Sequence, residues 1–216
     1  MRYENFMKNE YYHLFNKGVD GKDIFIDDQD KARFIFLITH LQSPARVLNV
    51  SWYTKNFIKK NSFKINNNKI QEILKNRSVE LMAFVIIPNG FHLLVKNKKD
   101  DILSVYMHRV LTAYGKYFNA KYNKKGHVFD GPFKAKRVKD GDQLLRLSAL
   151  IHKDPNNIEE WRNNYDKYPW SSFQDYISSN RWDDLISIDL ILQKFKNQTE
   201  YKKFVLTSTI KEENNV

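Results

Sequence analysis

The chain has 216 residues, 42% of them hydrophobic, with 36 Lys and Arg against 25 Asp and Glu for a formal charge of +11, and it contains no cysteine. That composition supplies apolar material for one globular domain with an appendage, and it excludes disulfides, thiolate zinc sites and cysteine nucleophiles together. No apolar run approaches the ~20 residues of a membrane span, and the opening MRYENFMKNEYY lacks the apolar core of a secretory signal. A cytoplasmic setting is therefore expected. The positive charge is expected to meet a polyanion, nucleic acid ahead of an anionic membrane surface.

From the N-terminus, YYHLFNKG (Tyr11 to Gly18) reads as a first strand ending in a basic glycine turn. Asp27 or Asp28 then caps a helix carrying Phe34, Leu37, Ile38 and Leu41. Residues 42–79 are rich in Asn and Lys, and are expected to form a flexible, solvated insertion with one short helix around Ile70 to Leu74. VELMAFVII and FHLLVK flank Pro88-Asn89-Gly90, which is turn chemistry, so the two runs form an antiparallel pair. A helix from about Asp101 to Tyr122 shows an apolar stripe through Ile102, Val105, Val110, Leu111, Tyr114, Tyr117 and Phe118. A last strand lies around Phe133 to Val138, and DQLLRLSALIHKDP is a helix stopped by Pro155. Beyond YPWSSFQDYI, where Trp170 reads as a structural anchor, DDLISIDLILQKF and TEYKKFVLTS are two more helices, and the closing KEENNV is expected to fray. The core order is β-α-β-β-α-β, an α+β, ferredoxin-like split sandwich on an antiparallel sheet, with extra C-terminal helices.

Several segments in this order carry a resemblance: YYHLFNKGVDGKDIFIDDQDKARFIFLI, AFVIIPNGFHLLVK, LTAYGKYFNAKYNKKGHVFDGPFKAKRV, LLRLSALIHKDP and YPWSSFQDY. Together they resemble the single-tyrosine HUH transposases of the insertion-sequence-200 type, especially the REP-associated branch, over about Tyr11 to Tyr176. The resemblance implies a transposase-like domain over 1–178, with an insertion at 42–79 and a helical C-terminal extension over 179–216. It also implies a protein, often a homodimer, that binds single-stranded or hairpin DNA. Active members cut one strand through a tyrosine hydroxyl, with a divalent cation held by a His-hydrophobic-His motif polarising the phosphate.

Two positions depart from that pattern. Gly90 stands where the motif has its first histidine, and His92 matches the second. In LIHKDP, Leu150 stands where the family carries its tyrosine, and a leucine has no hydroxyl with which to attack phosphorus. Asp154 takes a position that contributes to the metal in the family, so His92 and Asp154 are the candidate ligands for Mg²⁺ or Mn²⁺. A histidine in an apolar strand and an Asp before a proline also have plain structural readings, as core residue and helix terminator. Tyr114 and Tyr117 read as core, while Tyr165, Tyr168 and Tyr176 would need a rearranged site to replace the missing tyrosine.

The surface that remains is basic. Lys124, Lys125, His127, Lys134, Lys136 and Arg137 cluster in NKKGHVFDGPFKAKRV, with Phe129 and Phe133 between them. Cations tracking phosphates and rings stacking on bases suit single strands, DNA first and RNA as the alternative. A basic loop over a core phenylalanine pair is the structural counterpart. Lys17 joins this surface if the first and last strands lie side by side, Arg146 adds to it from the closing helix, and the insertion adds nonspecific affinity. Three functions follow as expectations: a transposase-like nucleic-acid-binding protein without strand cleavage, a metal-dependent nuclease or transposase with another nucleophile, and a protein-interaction module.

Overall fold

The computed structural model describes residues 5–46, 48–60, 63 and 65–208. The chain runs β1 (Tyr11–Lys17), α1 (Asp28–His40), α2 (Val50–Lys60), α3 (Asn67–Asn76), β2 (Val79–Ile87), β3 (Gly90–Asn97), α4 (Ile102–Lys121), β4 (Lys134–Arg137) and α5 (Gly141–Lys153). Three short helices follow: α6 (Phe173–Ile177), α7 (Asp189–Leu192) and α8 (Gln198–Thr207). The four strands form one antiparallel sheet in the order β2-β3-β1-β4, which is the split pattern expected from the element order.

Alternation along β1 sorts the two faces of the sheet. Tyr12, Leu14 and Asn16 are buried, whereas Tyr11, His13 and Phe15 are half-buried and Lys17 is exposed. The buried set faces α1 and α4, with Phe84, Phe91 and Leu93 of the hairpin in the same core. α1 begins at a reciprocal cap: the Asp27 side chain accepts from the Asp30 amide, and Asp30 accepts from the Asp27 amide. Asp30 is buried, and it also accepts from the hydroxyls of Tyr117 and Tyr122 and from Lys121 Nζ at 2.9, 2.7 and 2.7 Å. One carboxylate thereby ties the start of α1 to the end of α4.

On the opposite face, α5 packs across β2 and β3. This explains why β2 is buried along nearly its whole length, with apolar residues at every position but Glu80. The outer edge of β2 is covered by the chain beyond α5. The Ile86 amide donates to Trp170 O at 2.9 Å, the Ser172 amide to Phe84 O at 3.0 Å and the Ser187 amide to Leu81 O at 2.8 Å. Trp170 is an anchor here, buried and contributing its carbonyl to that edge. An edge so paired cannot recruit another strand. The other edge, β4, is four residues long with the sequence KAKR, and short charged edges resist strand addition for the same reason.

Two expectations are corrected. Residues 42–79 are not a solvated segment with one short helix: α2 and α3 both form, and Thr54, Phe57, Phe63, Ile70 and Ile73 are buried. The stretch DDLISIDLILQKF is not one helix, because the Ser187 amide is drawn to Leu81 O on β2, leaving a short turn at Asp183–Leu185 and then α7. The last helix is present as α8, where buried Tyr201 bonds both His152 and Ser148 of α5. KEENNV lies outside the described residues.

Candidate nucleic-acid interface

Because α5 lies over β2 and β3, the β1–β4 half of that sheet face is left open among the described residues. Register decides what it displays. Phe15 is paired with His92 on β3 and with Lys134 on β4, and His13 is paired with Leu94 and Lys136. Paired residues share a face, so His13, Phe15, Lys17, His92, Lys134 and Lys136 all stand on the open side. Lys17 is also exposed there, with a loose contact of 3.9 Å to Asp130. Two half-buried imidazoles and a phenyl ring thus lie beside three exposed ammonium groups.

The two histidines touch. His13 Nε2 lies 2.9 Å from His92 Nδ1, one nitrogen donating and the other accepting, and the rings are near-parallel with centroids 5.1 Å apart. Phe15 stacks against both, at 4.7 Å from His13 and 5.6 Å from His92. Burial, then the neighbouring His92 and Lys136, hold the His13 imidazole well below the usual histidine range. His13 is accordingly neutral at pH 7.

Gly90 is paired with Lys17 where β1 and β3 come close, and a Cβ there would lie 2.7 Å from Asn16 O. A side chain at position 90 would have to push the β1 backbone aside, so a histidine has no room there. Leu150 is half-buried on α5. Asp154 closes α5, its amide donating to Leu150 O and its carboxylate accepting from Asn157 Nδ2 at 3.2 Å. Among the described residues, no group of three or more His, Cys, Asp or Glu side chains is placed to hold a metal. A hard cation needs several oxygen ligands. Two imidazoles bonded to each other, and one carboxylate engaged with Asn157, do not fit Mg²⁺ or Mn²⁺.

The expected basic cluster divides. Lys134 and Lys136 point to the open face, while Arg137 is paired with buried Tyr12 and forms a two-point contact with Glu10, at 2.9 and 3.2 Å. Lys124, Lys125 and His127 are exposed on the loop after α4, with Lys124 5.4 Å from the Phe118 ring centre, and Arg146 is exposed on α5. Phe129 and Phe133 are core residues: both are buried, Phe129 against Phe34, Phe91 and Tyr114, and Phe133 against Phe6. The benzenoid rings on the open face are Tyr11 and Phe15, both half-buried. His13 and Phe15 escape a sequence reading because each gains its partner only through the register of β1 with β3 and β4. The one available signal was alternation in YYHLFNK, which places both on the more polar side.

Three of the candidate tyrosines are engaged elsewhere. The Tyr114 hydroxyl donates to Ile24 O, Tyr168 to Ile86 O at 2.7 Å and Tyr176 to Met82 O at 2.8 Å. Burial raises all three above the usual phenol range. No helix among the described residues is long and apolar enough to cross a membrane.

No family model and no curated protein matches this sequence. Among solved structures, the chain is similar to a REP-associated tyrosine transposase bound to a REP hairpin. The TM-score is 0.55 at 12% identity, over 88% of this chain and 93% of that one. At that identity the likeness establishes a shared transposase-like α+β fold.

Proposed function

We propose that this protein binds single-stranded or hairpin nucleic acid, DNA first, through the open β1–β4 face, and does not cut it by the tyrosine chemistry of its structural neighbour. The observation that carries the reading is the alignment of Lys17, Lys134 and Lys136 beside the Phe15–His13–His92 stack. Ammonium groups neutralise successive phosphates, and an accessible ring offers a surface on which an unpaired base stacks. The neighbour's bound hairpin supports the same class of partner. Lys124 and Lys125 extend the positive surface around the loop after α4, with His127 exposed beside them, and Arg146 extends it from α5. Cleavage is absent in this reading because Leu150 supplies no nucleophile and Gly90 cannot be exchanged for histidine without moving β1.

A second reading has one observation in its favour. Tyr11 stands on the open face two residues from His13, half-buried, with Lys96 5.6 Å from its ring centre. Its hydroxyl oxygen would form a bond to phosphorus as the bond from phosphorus to the sugar oxygen breaks, with the phenolic proton passing through an imidazole to that oxygen, which leaves as a hydroxyl.

One experiment separates the two. Fluorescence anisotropy with a DNA stem-loop flanked by single strands, followed by a denaturing gel, should show tight binding and no adduct. Lys134→Gln with Lys136→Gln should flatten the salt dependence, lowering the slope of log K against log salt by about 1.5 for two phosphates no longer neutralised. Unchanged affinity and slope in that double variant would remove the assigned face. An adduct that survives denaturation and disappears in Tyr11→Phe would establish the second reading instead.

A further inference from the structure

The charge of this chain is unevenly distributed. Residues 42–79 contain eight Lys or Arg and a single acid, Glu72, and so carry seven of the eleven net positive charges in about a sixth of the length. The helix α2 within this segment packs on α1, on the helical side of the molecule rather than on the open sheet face. The helix is anchored there by buried Thr54 and Phe57, with Tyr53 stacked on Phe36 at 5.4 Å. Turning away from that anchor, Ser51, Trp52, Lys55, Ile58, Lys59 and Lys60 are exposed.

Trp52 is the unusual member of this set. It is 56% exposed, yet its ring is held edge-on against Tyr53 with centroids 5.0 Å apart. A large aromatic buries about 150–250 Å² in an ordinary core, and this one forgoes much of that burial on a helix that carries three exposed lysines. At helical spacing Trp52, Lys55 and Lys59 follow one another along one face. A protein partner would be expected to meet an apolar patch with few charges at its centre. Here Trp52 shares its helix with three exposed lysines and one exposed apolar residue, Ile58, in a segment with one acid, and that surface is complementary to a polyanion that also offers flat rings.

We infer that α2 is a second nucleic-acid contact, in which Trp52 stacks on an unpaired base while Lys55, Lys59 and Lys60 neutralise the adjoining phosphates. It rests on the nucleic-acid reading above and adds a separate surface, on the opposite side of the molecule from β4. A strand held at both places wraps the domain, or the two faces hold two segments of a longer nucleic acid. The ligand class is single-stranded nucleic acid rather than duplex, because stacking requires an unpaired base.

The test uses the full chain with oligo-dT of about twenty nucleotides as the probe, read by tryptophan fluorescence and by anisotropy across a salt series. Trp52→Ala should weaken binding by about 5-fold or more, the range expected for one stacked base. It should also remove part of the fluorescence quenching that oligo-dT causes. The triple change of Lys55, Lys59 and Lys60 to Gln should lower the salt slope by about 0.7 for each single-strand phosphate left without its ammonium partner. These exposed positions should leave the melting temperature unchanged, which separates a binding defect from a folding defect. If both sets bind oligo-dT like the parent while Lys134→Gln with Lys136→Gln does not, the α2 site is overturned and the sheet-face reading stands. If none of the variants differs from the parent, both readings fall. If Trp52 emission responds to anionic lipid vesicles and not to oligo-dT, the surface meets membranes and the inference is wrong.

Discussion

At position 90 the absence of a side chain is a packing requirement. A Cβ at Gly90 would meet Asn16 O at 2.7 Å, and that oxygen belongs to the β1 backbone rather than to a flexible side chain. Gly90→Ala should therefore destabilise the protein by about 1–3 kcal/mol in urea unfolding, as overpacking does, and Gly90→His by more. Stability equal to the parent in Gly90→Ala would mean that β1 has slack. Buried histidines give a second prediction. The His152 ring bonds Tyr201 and Ser172 at 2.7 and 2.8 Å, and burial lowers its pKa to about 3, while burial lowers His40 to about 4. Both folded values lie below the ordinary 6.5, so the stability they confer is complete above that pH and is lost as pH falls through the window between 6.5 and 3–4. The loss is about 1.4 kcal/mol per unit for each histidine, or about 2 kcal/mol each at pH 5. A melting temperature unchanged from pH 7 to pH 5 would contradict that burial.

At the scale of elements, the covering of the β2 edge is the most exposed to challenge by mutation. Asp175 is fully buried and accepts from Arg181 Nε and Nη2 at 2.8 and 2.9 Å, from the Arg181 amide at 3.0 Å and from Trp182 Nε1 at 2.7 Å. Arg181 also donates to Ser171 O at 2.8 Å and Pro169 O at 3.0 Å, pinning the segment that pairs with β2. Arg181→Met should cost about 3–5 kcal/mol, because it strands a buried carboxylate. Arg181→Met together with Asp175→Asn should recover part of that stability. A double variant no more stable than the single one would assign the cost to the carbonyls of Ser171 and Pro169, left without a donor.

The hairpin was legible in the sequence because PNG is turn chemistry between two apolar runs, and the split order followed from the elements around it. α2 was not, since VSWYTKNFIKK alternates apolar residues with lysines and buries only Thr54 and Phe57 completely. A composition rich in Asn and Lys hid a helix held by its packing on α1. The register of β1 was likewise invisible, and with it the His13–His92 bond. Histidines 79 positions apart become neighbours only when β1 inserts between β3 and β4. Phe129 and Phe133 show the converse, aromatic rings among lysines that looked available to bases and instead fill the core.

Over the whole molecule, the sheet is covered by α1 and α4 on one face, by α5 on half of the other, and by residues 170–187 along the β2 edge. What stays open among the described residues is the β1–β4 half, and the side chains it carries are those that suit phosphates and unpaired bases. Photocross-linking tests that surface most directly. A library of DNA stem-loops with single-stranded flanks containing a photoreactive thymine analogue would be bound to the full chain, irradiated, and the attached peptides mapped. Cross-links are expected within Tyr11–Lys17 and Lys134–Arg137, suppressed by Lys134→Gln with Lys136→Gln. Cross-links confined to other elements, or none above an uncharged control protein, would contradict a nucleic-acid interface on this face.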